Sequence, residues 1–111
     1  MSRIRVKICG ITRAQDIDTA VAAGVDALGF VFTERSKRFV DIPAARKLVA
    51  RVPAFVSRVG LFMDQDAVEV TNVLSEVPLI LLQFHGRESG EFCSQFGLPY
   101  IKALDVAGAL S

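Results

Sequence analysis

Cys9, Lys7, Arg38, Gln83 and His85 are the residues of this 111-residue chain whose types and spacing could do chemistry. Cys9 ends the run Lys7-Ile8-Cys9-Gly10, just ahead of a segment with helical spacing. A helix N-terminus favours a thiolate over a thiol, so Cys9 is a candidate nucleophile or base. On a strand Lys7 projects from the same face and adds positive potential there. Cys9 also reads as a small apolar filler. Gln83 and His85 alternate on one face of a second run, Leu82-Gln83-Phe84-His85-Gly86. His85 is the only histidine; a lone His before Gly equally well serves a turn. Glu34-Arg35-Ser36-Lys37-Arg38 is a basic loop, either a solvated surface or a clamp for an anionic group, since the planar fork of Arg suits a carboxylate or phosphate. Cys93, beside Phe92, reads as filler.

Composition removes several function classes. Thirteen Lys+Arg against twelve Asp+Glu leave a net charge of +1, so no general field draws nucleic acid or an acidic membrane. No aromatic–basic interleaving, dinucleotide fingerprint or phosphate loop is present. No paired metal ligands stand out. At 51% hydrophobic the chain is not disordered. The longest uncharged apolar run, Val77 to Leu82, is far shorter than the ~20 residues that span a bilayer. Two distant cysteines suit a reducing cytoplasm better than a disulfide framework. A redox role for Cys9 is disfavoured because no resolving Cys lies near it.

The elements that must position these residues follow from hydrophobic period. Strand-like runs fall at Ile4–Ile8, Ala27–Phe32, Phe55–Phe62, Leu79–Phe84 and Tyr100–Leu104. Between them, Ile17/Ala20/Val21/Gly24, Ala45/Leu48/Val49/Val52 and Val70/Val73/Leu74/Val77 repeat the i, i+3, i+4, i+7 template, with a weaker match over Glu88–Phe96. Arg13, Arg46 and Glu69 should face water. Thr12 and Gln15 read as a capping box, Asp41 with Pro43 as the second helix start, and Asp64 as the third. Gly24 and Gly97 stand where helices end. Pro53, Pro78 and Pro99 precede strand runs. The order β-α-β-α-β-α-β-α-β makes the strands parallel and apolar on both faces. One domain spans residues 1–111, as either an open doubly wound sheet or part of a (β/α)8 barrel. Polar groups at the carboxyl ends of several strands (Cys9, Thr33, Asp64, His85) favour the barrel.

Taken together, Lys7-Ile8-Cys9-Gly10-Ile11-Thr12, Leu28-Gly29-Phe30-Val31-Phe32 with Ser36-Lys37-Arg38, Arg58-Val59-Gly60-Leu61-Phe62 and Leu82-Gln83-Phe84-His85-Gly86 resemble the phosphoribosylanthranilate isomerase family of tryptophan biosynthesis. Phe84 departs from the Leu more usual there. The resemblance implies a (β/α)8 barrel of the TIM type, of which this chain matches the first half, with five strands and four helices. It implies an Amadori rearrangement of N-(5-phosphoribosyl)anthranilate to 1-(carboxyphenylamino)-1-deoxyribulose 5-phosphate, without a cofactor. Cys9 matches the family's general base and Arg38 the arginine that meets the anthranilate carboxylate; Gln83 and His85 match pocket positions. The general acid is an Asp after a sixth strand, which Asp105 does not match. The implied partner is a small phosphorylated molecule, with neither nucleic acid nor membrane. Two rivals stand beside this reading. One is a flavodoxin-like binding or regulatory domain, and the other a non-catalytic half-barrel that pairs with its own copy.

If the half-barrel reading is right, the 111-residue chain assayed alone shows no isomerase turnover, because half of its acid–base pair is missing. A measurable rate from it overturns that. The strand edges at Ile4–Ile8 and Tyr100–Leu104 should drive self-association, so size-exclusion chromatography should return a species larger than the monomer that the flavodoxin-like rival requires.

Overall fold

The computed structural model describes residues 4–103. Strands and helices alternate strictly: β1 (Lys7–Cys9), α1 (Ala14–Ala22), β2 (Ala27–Val31), α2 (Ile42–Ala50), β3 (Ser57–Phe62), α3 (Ala67–Glu76), β4 (Leu81–Phe84), α4 (Gly90–Ser94) and β5 (Tyr100–Lys102). All neighbouring strands pair in parallel, in the order β1-β2-β3-β4-β5. A doubly wound sheet reverses its strand order at a switch point; this order has no reversal. The flavodoxin-like alternative is therefore overturned. Right-handed crossovers along an unreversed sheet put every helix on one face.

The burial pattern agrees with that one-sided layering. Leu28, Phe30, Phe62, Leu82 and Phe84 project from alternate in-register positions and are essentially inaccessible. They share one cluster with Ile17, Ala45, Val49, Val70 and Cys93 of the four helices. Val59 and Leu61 are also buried, yet stand outside that cluster, because they project from the other face. Helices thus cover one sheet face, the layering of the barrel alternative and not of a doubly wound sheet. Near the carboxyl ends of the strands the helix side carries an aromatic row. Phe32 stacks on Phe62 at 5.4 Å, Phe62 meets Phe84 at 5.9 Å, and Phe84 meets Phe92, Phe96 and Tyr100.

Boundary chemistry is partly as the sequence predicts. The Asp41 carboxylate accepts from Ala44 N at 2.9 Å, with Pro43 in the first turn. Gly24 (φ 86°) and Gly97 (φ 74°) take the left-handed conformation after their helices. Three expectations are corrected. The Thr12–Gln15 capping box does not form: α1 has Arg13 as its N-cap, with no side-chain cap. Arg13 instead ion-pairs with Asp16 at 2.9 Å, and this contact holds the Asp16 carboxyl below its ordinary range. The cap of α3 is Asp66, accepting from Glu69 N at 2.8 Å, and not Asp64. The first strand begins at Lys7, and not at Ile4, because the Asp26 carboxylate takes the Val6 N–H at 2.7 Å. Leu104, predicted to end the fifth strand, and Asp105 lie outside the described residues.

Three successive loops at the carboxyl ends of the strands are stitched together. The Gln65 amide donates to Phe32 O at 2.7 Å and accepts from Thr33 Oγ1 and Met63 N, joining the loops after β2 and β3. Asp64, at φ 56°, accepts from Arg87 N at 2.6 Å. Glu88, its side chain 3% exposed, accepts from Asp64 N at 2.7 Å and Gly86 N at 2.8 Å. Lys102 of β5 donates to Gly86 O and pairs with Glu88 at 3.4 Å. Buried charge is tolerated when it is paired and hydrogen-bonded, and Glu88 satisfies both conditions.

Urea unfolding checks these assignments. Asp66→Ala should lower stability by about 1 kcal/mol, whereas Thr12→Ala should change it by less than about 0.5 kcal/mol. The reverse order would restore the predicted capping box. Glu88→Ala should remove about 2–3 kcal/mol, because two loop N–H groups lose their acceptor and the Lys102 ammonium its carboxylate partner.

Candidate active site

Cys9 is the last residue of β1, half-buried, with its sulfur on the face away from the helices. Gly29, its register partner on β2, makes room for it: a Cβ there would lie 3.2 Å from Cys9 Sγ and 2.8 Å from Leu61 Cδ1. Gly10 then turns the chain at φ 84°. A Cβ at Gly10 would meet Arg38 Cδ at 2.4 Å, so glycine is needed both for the conformation and for the approach of Arg38. That side chain lies across the turn and donates from Nη1 to Cys9 O at 3.4 Å. Arg38 is held in turn by its own N–H, which donates to Ser36 Oγ at 3.1 Å. The basic loop is therefore no detached surface run; it folds back over the end of β1. Cys9, Gly10 and Arg38 also border a cavity of about 330 Å³ whose other walls are Ile8, Ile11 and, from α1 and its end, Asp16, Thr19, Ala20 and Ala23, so it opens between β1 and α1.

Gln83 projects from β4 on the same sheet face as Cys9, as predicted. Its Nε2 lies 2.6 Å from His85 Nε2. Its Oε1 accepts from the Lys7 ammonium, which reaches it from β1 with two strands between. A flat sheet spaces those strands by roughly three times 4.8 Å, so the contact reports a concave face. The sequence placed Lys7 on the face of Cys9, and so it is. Its ammonium, however, is engaged by Gln83, and the cation next to the Cys9 peptide is Arg38. His85 lines a separate cleft of about 300 Å³ with Thr33, Arg35, Ser36 and Met63. Arg38 thus joins Cys9, and Gln83 joins His85. Among the described residues no hydrogen bond links the two pairs.

Cys93 is fully buried in α4, and that burial pushes its thiol above the ordinary range; it stays protonated packing material. Sequence reasoning missed Gln65, Glu88 and Lys102, the residues that fix the loops. Glu88 follows Gly86 by two, a spacing that lets a carboxylate cap its own turn, but the distant Lys102 leaves no local signal. Among the described residues no group of three or more His, Cys, Asp or Glu could hold a metal ion, and no helix is long and apolar enough to cross a membrane.

Comparison with known proteins bears on this arrangement. The family model for N-(5'-phosphoribosyl)anthranilate (PRA) isomerase matches residues 6–110. The N-(5'-phosphoribosyl)anthranilate isomerase of Neisseria meningitidis serogroup C is 51% identical over 109 residues, 98% of this chain and 52% of its own length. That of Thiobacillus denitrificans is 53% identical over 103 residues, 93% of this chain and 50% of its own. The chain spans about half the length of the curated relatives it matches. The crystal structure of phosphoribosyl anthranilate isomerase from Thermus thermophilus superposes with a TM-score of 0.88 at 43% identity, covering 95% of this chain and 54% of that one. An isomerase solved with reduced 1-(o-carboxyphenylamino)-1-deoxyribulose 5-phosphate gives 0.86 at 40% identity, covering 90% and 53%. With the family model matching residues 6–110, nearly all of this chain, the chain belongs to the N-(5'-phosphoribosyl)anthranilate isomerase family.

Proposed function

We propose that the chain carries the base-bearing side of an N-(5'-phosphoribosyl)anthranilate isomerase site, and that residues 1–111 form the first half of a (β/α)8 barrel. The unreversed strand order and the concave face carrying Cys9 support the barrel reading. The observation that carries the functional reading is the Arg38 guanidinium lying against the peptide of Cys9. It sets an anion-binding fork beside a thiol at the carboxyl end of a strand. The ligand of the solved relative bears a carboxyphenyl group and a phosphate, and a substrate of that class would offer its carboxylate to Arg38.

In this reaction the sugar ring opens to a Schiff base, and the Cys9 thiolate removes the proton on C2. The electron pair moves into the protonated imine to give an enolamine, which tautomerises to the 2-ketone. The iminium is itself the electron sink, so the step needs neither metal nor organic cofactor. Positioned general-base help of this kind is worth about 10²–10⁴-fold. Gln83 and His85, on the same concave face, would line the substrate pocket of the completed site. The partner is a small phosphorylated molecule, and a biosynthetic step of this type suits the cytoplasm. Exposed apolar side chains on both outer strands, Ile8 at 38% and Ile101 at 47%, favour contact with further protein, in keeping with self-association.

Cys9→Ala in a completed enzyme should lower kcat by at least about 10²-fold, while binding of the reduced product analogue stays nearly unchanged. Steady-state kinetics with a parallel binding titration read both, and an unaltered kcat removes Cys9 from the mechanism.

A further inference from the structure

We propose that Lys7 is a positioning residue that, through Gln83, fixes His85 as the Nδ1–H tautomer. The argument is one of donor and acceptor inventory. A lysine ammonium donates and never accepts, so the Gln83 amide must turn Oε1 towards Lys7, as observed. The other end of that amide, Nε2, is donor-only and lies 2.6 Å from His85 Nε2. That ring nitrogen must therefore carry the lone pair. The proton of the neutral imidazole then resides on Nδ1, since the hydrogen bond made by one ring nitrogen decides the state of the other. His85 is thereby left with a donor to give to the cleft it lines with Thr33, Ser36 and Met63. A ligand there would have to present an acceptor oxygen, as a carboxylate, phosphate ester or sugar hydroxyl does. Without Lys7 the Gln83 amide is free to turn over and present Oε1 to the ring, which would draw the proton to Nε2. The chain of bonds spans the concave face from β1 to β4, so the state of the residue just past β4 is set by the first strand.

This inference deepens the reading of the same site given above, but its test needs neither substrate nor turnover, so it fails separately from the role of Cys9. His85 is the only histidine, and a long-range ¹H–¹⁵N spectrum of the 111-residue chain at about pH 8, above the ordinary imidazole range, reads its two nitrogens without ambiguity. The expected result is a pyrrole-type Nδ1 and a pyridine-type Nε2. Lys7→Met should lose that preference and gain Nε2–H population, while Lys7→Arg, which retains a donor, should restore it. Gln83→Glu should invert the pattern, because a carboxylate accepts from both Lys7 and His85 Nε2–H. An Nε2–H ring in the unaltered chain overturns the proposal, and so does an unshifted tautomer in Lys7→Met with the backbone amide spectrum retained.

Discussion

The structure depends on the unequal bulk of the two faces of one parallel sheet. On the helix side, the aromatic row from Phe32 through Phe62 to Phe84 fills the space beneath four amphipathic helices. On the other side Cys9 and Gly29 sit in register, and a methyl group added at Gly29 would collide with Leu61 and crowd the Cys9 sulfur. The inside of a curve has less room per residue than the outside, so this distribution suits a sheet bent towards Cys9. The bend in turn lets Lys7 reach Gln83 across two strands. Helix placement, concavity and the meeting of distant polar side chains all follow from that asymmetry.

The second requirement is that loops at the carboxyl ends hold still. Their backbone groups are satisfied by side chains of the same or the neighbouring loop: Gln65 for Met63 and, across loops, Phe32; Asp64 for Arg87; Glu88 for Gly86 and, across loops, Asp64. Site geometry has to be kept to a fraction of an ångström to be useful in catalysis, and three consecutive stitches provide such a frame.

Much of this was legible in the sequence, and the limits are physical. Strand and helix order follows from period alone, and β2 begins at the predicted Ala27, while β3 and β4 end at the predicted Phe62 and Phe84. Cys9, Gln83 and His85 fall on the carboxyl ends of their strands because two-residue alternation and a following glycine mark that end. The errors occur where a local pattern competes with a distant or alternative partner. Thr12 and Gln15 fit a capping box, but Arg13 and Asp16 close the first turn as an ion pair. Asp64 looks like a helix cap, but its carboxylate serves Arg87 while Asp66 caps the helix. Lys7 was placed on the right face with the wrong neighbour, because sheet curvature is invisible in a linear pattern. The family resemblance rests on short strings such as Lys7-Ile8-Cys9-Gly10-Ile11-Thr12, whose glycine turns the chain at φ 84° beneath the Arg38 side chain.

The stitched loops also separate two jobs that a binding surface usually combines. Gln65, Asp64 and Glu88 work on main-chain atoms, whereas Glu34, Arg35, Lys37 and Arg87 stand exposed at the rim. A main-chain anchor is indifferent to the side chain of the residue it holds, save at Gly86, where a Cβ would meet the Asp64 carboxylate at 2.4 Å. Evolution, or an engineer, can therefore rewrite the rim to greet another ligand while the scaffold underneath keeps its shape.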